Sequence, residues 1–332
     1  MSDGGVPTLD DIRAAATRIA PFVHRTPILR CASIDEQVGA RVHLKAEHLQ
    51  RSGAFKYRGA TNAVQRLDPA TAARGVAAHS SGNHASALAL AASVRGIPCH
   101  VVMPSDSPAA KRRAAEAFGA SVVLCEPTLE ARSAALAEVV ASTGATEIHP
   151  YDHSDVIAGQ GTATLELLED APHIGAVIAP VSGGGLLSGT AIAAHGIRSD
   201  LVVLGGEPVE VDDAHRSLVA GRQIGTGNRT SIADGLLAVL SARTFAILAV
   251  HHVEVITVTE DEIVTAMALL FGRAKQVVEP SGAVGVAALI AGARRGSALP
   301  DDVGVILSGG NVDLDRLPFG APPPPSEEHG SP

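Results

Sequence analysis

Ala176-Val177-Ile178-Ala179-Pro180-Val181 is an apolar run of strand length that passes through Ser182-Gly183-Gly184-Gly185 into Leu186-Leu187-Ser188-Gly189-Thr190-Ala191-Ile192, a segment with helical apolar spacing. A strand without polar alternation is buried on both faces, the condition of parallel sheets covered by helices. Glycines at the mouth of the following helix present bare amides to an anion, and phosphate is the usual occupant. A dinucleotide fold would ask for Gly-x-Gly-x-x-Gly or Ala, but from Gly183 and Gly185 the last position is Ser188, which argues against that reading. For this loop taken alone, a purely structural glycine turn is the alternative.

The rest of the chain repeats the strand-to-helix theme. An amphipathic helix is expected from Leu9 to Val23, broken by Thr26-Pro27 before a strand at Val42-His43-Leu44-Lys45 and a loop carrying Lys56. Between about 75 and 150 come Val76-Ala77-Ala78 then Ala85 to Val94, His100 to Met103 then Ala109 to Phe118, and Val122-Val123-Leu124 then Leu129 to Ala141. Such units make a parallel α/β lobe. A second set has strands near 176, 201, 253 and 303, and Thr259-Glu260-Asp261-Glu262 reads as a capping box opening one of its helices. The tail from Ala321 to Pro332, with four consecutive prolines, reads as disordered.

Composition removes several function classes. At 332 residues the chain can bury one large core or two moderate ones. A net charge of −9 leaves no basic field for a nucleic-acid backbone. No run of about eighteen apolar residues offers a membrane span, and the acidic, amphipathic start does not read as a signal peptide. Cys31, Cys99 and Cys125 show no Cys-x-x-Cys spacing and read as buried thiols in a reducing, cytoplasmic setting.

Lysine is scarce: apart from Lys56 the chain has only Lys45, Lys111 and Lys275. Lys56 stands in Ser52-Gly53-Ala54-Phe55-Lys56-Tyr57-Arg58-Gly59, among small and apolar neighbours that favour a neutral amine able to attack a carbonyl. A surface lysine beside a turn is the bland reading. Two more loops, His79-Ser80-Ser81-Gly82-Asn83-His84 and Leu307-Ser308-Gly309-Gly310-Asn311, follow strands, where α/β sheets bind ligands.

These four segments together resemble the fold-type-II pyridoxal-phosphate enzymes, the tryptophan-synthase β family, and in particular its serine racemase and serine/threonine dehydratase branch, over about Thr26 to Leu317. The resemblance implies a two-lobed α/β architecture, each lobe an open, mostly parallel twisted sheet flanked by helices, with the active site in the cleft. Residues 1–66 and 152–320 would form the large cofactor-binding domain and 67–151 the small one, with 321–332 the disordered tail. It implies that Lys56 holds the cofactor and later removes the substrate Cα proton. Gly183, Gly184, Gly185 and Leu186 would grip the phosphate, Asn83 would bond the ring hydroxyl, and Ser308 would meet the pyridine nitrogen. A hydroxyl there can leave that nitrogen neutral, whereas a carboxylate would keep it protonated; a poorly drained Cα carbanion favours expulsion of a β-hydroxyl over transamination.

By the same resemblance Ser81 faces the substrate opposite Lys56, as the second acid/base of the racemases, and a helix N-cap or turn hydroxyl is its structural alternative. Ser80 and His84 belong to the loop that wraps the substrate carboxylate, with His79, Arg132 and Gly235 near the substrate; a solvated helix arginine is the alternative for Arg132. Glu207 and Asp213, with the Val211 carbonyl, match the family's divalent-cation site, whose all-oxygen ligation suits Mg²⁺, Ca²⁺ or Mn²⁺. Ala238 stands where racemases tend to have serine, and no regulatory domain is expected after Asp315.

The leading expectation is therefore a homodimeric ammonia-lyase that dehydrates L-threonine or L-serine to a 2-oxo acid and ammonia. Serine racemase and 3-hydroxyaspartate dehydratase are the alternatives within the branch, the latter because Arg132 and His79 could hold a second carboxylate. A non-catalytic phosphate-ligand binding module is the alternative of another class.

Overall fold

The computed structural model describes residues 5–107, 109–227 and 229–319; the tail from Ala321 lies outside the described residues. Its strands are β1 (Ile28–Leu29), β2 (Arg41–Lys45), β3 (Val76–His79), β4 (Cys99–Pro104), β5 (Ser121–Cys125), β6 (Thr146–Glu147), β7 (Ala176–Pro180), β8 (Val202–Pro208), β9 (Glu254–Val258) and β10 (Asp302–Ile306). They form a six-stranded sheet in the order β1-β2-β10-β7-β8-β9 and a four-stranded sheet in the order β5-β4-β3-β6. Every pairing is parallel except β1 with β2. The α/β reading is borne out.

β7 and β10 are buried at every position, which is why they carry Ala, Val and Ile without alternation. The helix Pro280–Arg294 packs against this sheet and buries every residue from Ser281 to Gly292, so small side chains fill its circumference. Among the described residues no helix is long and apolar enough to cross a membrane.

Two expectations are corrected. The first helix runs from Leu9 to Ile19, not to Val23, because Pro21 cannot continue the ladder and Phe22 and Val23 turn back to bond the Ile19 carbonyl. Lys56 lies on no loop: it is the first residue of the helix Lys56–Arg66.

Three helices meet with almost no side chain between them. A Cβ on Gly159 would lie 2.6 Å from the Gly59 Cα, and one on Gly189 would lie 2.6 Å from the Gly161 nitrogen. The helix Ser154–Asp170 therefore touches the Lys56 helix through one glycine pair and the helix Gly185–Ile197 through another. A buried ionic cluster completes the seat of the Lys56 helix. Arg58 donates to both oxygens of Glu47 and to both oxygens of Glu166, and Lys45 donates to Glu166 at 2.6 Å and to the Thr26 carbonyl at 2.8 Å.

Candidate active site

A closed circuit of contacts joins the loops singled out in the sequence. Phe55 donates its amide to the Ser308 carbonyl at 3.0 Å, and Gly310 donates to Gly53 at 2.9 Å, so the Lys56 segment and the loop after β10 are laced together. Asn311 donates to the Ser52 carbonyl and to the Asn83 side chain, each at 2.8 Å. Asn83 donates to Glu279 at 2.7 Å, and two residues on, Ser281 accepts the Gly235 amide at 3.0 Å. Ala238 and Ser182 bond reciprocally, which brings the circuit to the glycine loop. The return is through Tyr151, whose ring lies 2.5 Å from where a Gly183 Cβ would stand, and through Pro150, whose carbonyl accepts from Lys56 Nζ at 2.9 Å.

The glycine loop has no room for side chains. Gly184 adopts φ +88°, a conformation glycine adopts freely, and a Cβ there would meet Thr244 at 2.7 Å; one on Gly185 would meet Tyr151 at 2.9 Å. Thr244 Oγ1 donates to the Gly183 carbonyl at 2.8 Å and fixes the loop from below. The first amides of the helix that starts at Gly185 lack intrahelical acceptors, so the loop and the Leu186 amide could hold an anion.

Burial pulls the Lys56 amine down to about 8, which enlarges the neutral, nucleophilic fraction near neutral pH. The imidazoles beside it are also held neutral by burial, His84 at about 3 and His149 at about 4, with His79 lowered as well. His84 Nε2 donates to the Ile148 carbonyl at 2.9 Å, which fixes its tautomer. His149 stacks edge-on against Tyr151 at 4.6 Å between ring centroids and stands 6.3 Å from His79. Burial lowers His79 and the Arg132 charge adds to it, while Arg132 Nε donates to the Thr128 carbonyl at the start of its own helix.

Ser81 does not cap the following helix. Gly82 occupies that position, Asn83 is the first helical residue, and Ser80 Oγ accepts the Gly82 amide at 3.3 Å. Ser308 is buried in the loop two residues past the end of β10.

Glu207, Val211 and Asp213 gather at the end of β8 and the turn that follows, all buried. Glu207 accepts the amides of Ala214 and His215, both at 2.9 Å, whereas neither Asp213 oxygen has a hydrogen-bond partner among the described residues. Burial raises Glu207 to about 8 and Asp213 to about 6. Orphaned buried carboxylate oxygens suit a cation with oxygen ligands.

Several members of the circuit carried no assigned role in the sequence: Glu279, Asn311, Tyr151, Thr244 and Ser281. Two had a local signal: Asn311, in the loop after the last strand, and Glu279, an acid immediately before Pro280-Ser281-Gly282 at the start of an apolar helix.

The family model described as "Pyridoxal-phosphate dependent enzyme" matches residues 19–309. A β-hydroxyaspartate dehydratase of Paracoccus denitrificans is 45% identical over 95% of this chain and 99% of its own. The crystal structure of serine racemase from Dictyostelium discoideum superposes with a TM-score of 0.89 at 44% identity, covering 93% of this chain and 99% of that one. The crystal structure of a T.th. threonine deaminase gives 0.88 at 45% identity over 93% and 99%.

Proposed function

The chain belongs to the pyridoxal-phosphate-dependent enzymes, and on that premise we propose that it is an ammonia-lyase that removes the β-hydroxyl of L-serine or L-threonine. What supports this reading is the circuit of contacts that links the Lys56 segment, the loop of Ser308 and a glycine loop with no space for side chains. The residues present fit the cofactor: the amides of Gly183, Gly184, Gly185 and Leu186 would hold its phosphate, Asn83 its ring hydroxyl, Ser308 its ring nitrogen and Lys56 its carbonyl carbon. Pyridoxal phosphate, when bound, supplies the electron sink that acidifies the substrate Cα–H.

The protein's own groups then divide the work. Lys56, an amine held by its surroundings in a readily deprotonated state, accepts the Cα proton. Ser80, Ser81, His84 and Gly235 would surround the substrate, and in a racemisation side reaction Ser81 would be the group that returns a proton to the face opposite Lys56. The proton taken from Cα and the β-hydroxyl leave together as one water, and the resulting enamine takes up water to give a 2-oxo acid and ammonia. Glu207, Asp213 and the Val211 carbonyl would hold Mg²⁺, Ca²⁺ or Mn²⁺ as a structural or activating ion. The reading includes a homodimer in the cytoplasm, with which the free thiols Cys31, Cys99 and Cys125 are consistent.

A second substrate reading, 3-hydroxyaspartate, is supported by the neighbourhood of His79, whose ring stands 6.3 Å from that of His149 and whose pKa the Arg132 charge helps to lower, a setting in which a second carboxylate would be welcome. Incubation with L-serine, L-threonine and L-threo-3-hydroxyaspartate, with Mg²⁺ or with chelator, and joint measurement of 2-oxo acid and D-amino acid, separates the readings. We expect 2-oxo acid as the main product from at least one substrate, loss of both activity and the visible absorption of bound cofactor in Lys56→Ala, and loss of any D-serine in Ser81→Ala with elimination retained. D-serine formed as fast as pyruvate would make the protein a racemase first.

A further inference from the structure

At the opposite end of the large sheet from the glycine loop, three ligating side chains converge outside the active site. Asp302 opens β10, His43 lies within β2, and His173 lies in the turn between the helix Ser154–Asp170 and β7. Parallel register sets Asp302 beside Arg41 and Gly304 beside His43, which brings the Asp302 and His43 side chains onto neighbouring positions of one sheet face. His43 Nε2 is 2.9 Å and His173 Nε2 is 3.4 Å from the same oxygen, Asp302 Oδ1. All three ligating atoms lie within 4.8 Å of one another, the one such trio of His, Cys, Asp or Glu among the described residues.

We propose that His43, His173 and Asp302 form a binding site for a borderline divalent transition ion, of which Zn²⁺ is the type. Two imidazoles and one carboxylate are its donor set, and bond lengths of about 2.0–2.2 Å put neighbouring ligands of a tetrahedral ion roughly 3.3–3.5 Å apart. The observed 2.9 and 3.4 Å need only small adjustment to reach that spacing. Burial of His43 and Asp302 fixes two ligands, while His173, 56% exposed, gives the entry path and leaves the fourth position to water.

The carboxylate is also over-subscribed. Asp302 Oδ1 faces Arg41 Nε at 2.8 Å as well as both rings, three nitrogens converging on an oxygen with two lone pairs. At least one ring therefore has no acceptor there and can turn a lone pair to an ion instead. The Arg41 guanidinium also contacts Oδ2, so an incoming ion must compete with it, and the 57% exposed Arg41 side chain can swing into solvent.

The test uses the cofactor-loaded protein in saturating Mg²⁺, so that the carboxylate site at Glu207 and Asp213 is filled first. Zn²⁺ titration by calorimetry, with thermal unfolding in parallel, should show one site that raises the unfolding temperature. His173→Ala, an exposed position whose loss leaves the fold intact, should weaken binding by at least about tenfold and remove the thermal shift, and His43→Ala should do the same. Arg41→Gln should tighten binding by freeing Asp302. Zinc binding unchanged in His173→Ala, an affinity not improved by Arg41→Gln, or no saturable binding at micromolar Zn²⁺ would each overturn the proposal.

Discussion

Burial raises the Glu279 carboxyl to about 7 even though Asn83 donates to it, so this group is largely protonated below neutrality. An acid whose folded pKa lies above its ordinary 4.5 stabilises the fold fully below that value and loses the contribution as pH rises through about 7. Glu279→Gln keeps an oxygen for Asn83 and cannot ionise. Thermal unfolding between pH 5 and 8 should therefore fall more steeply for the native protein than for the variant, by up to roughly 1.4 kcal/mol per pH unit, and parallel curves would refute the assignment. At this scale the sequence was legible where a residue is rare or a motif compact: Lys56 stands among four lysines, and the three glycines are contiguous. The role of Glu279 was not legible despite its place at a helix start, because it lies in a contact with Asn83, 196 positions away.

The strand-to-helix alternation was readable because apolar runs and glycine punctuation are local properties. What the helices share was not. The helix Ser154–Asp170 is the common floor for the helix that begins with Lys56 and for the helix that begins with the glycine loop, and it meets both through glycine. Its glycines look in sequence like weak points of a helix. In the fold, Gly159 sets the distance between two backbones, with the Arg58 carbonyl 2.8 Å from its virtual Cβ. Gly159→Ala should destabilise by about 1–3 kcal/mol through overpacking and lower cofactor affinity by displacing Lys56, measured by chemical unfolding and by cofactor titration. The same substitution at Gly221, which has open space and φ +65°, should cost stability without touching cofactor affinity.

Across the whole molecule, the large sheet has its last-made strand near its middle. β10 lies between β2 and β7, and it ends at the loop that carries Ser308 and bonds the Lys56 segment. Strand order is a non-local property, so no window of sequence could reveal it. Pairing of such distant segments is slow, because loop closure comes before the contacts that reward it. On refolding from denaturant, cofactor absorption should appear with the slowest phase and lag behind the far-ultraviolet signal; simultaneous recovery would contradict an insertion step of this kind.

The central placement of β10 has a consequence for biosynthesis. A chain emerging from a ribosome exposes β2 and β7 long before their shared neighbour has been translated, so each waits with an unpaired edge. No nascent chain that stops short of Ser308 can lace the loop after β10 to the Lys56 segment, on which the proposed cofactor site depends. Cofactor loading thus becomes a check on completed translation, and a fragment released early meets the cell's quality control without the small molecule that would otherwise shelter it.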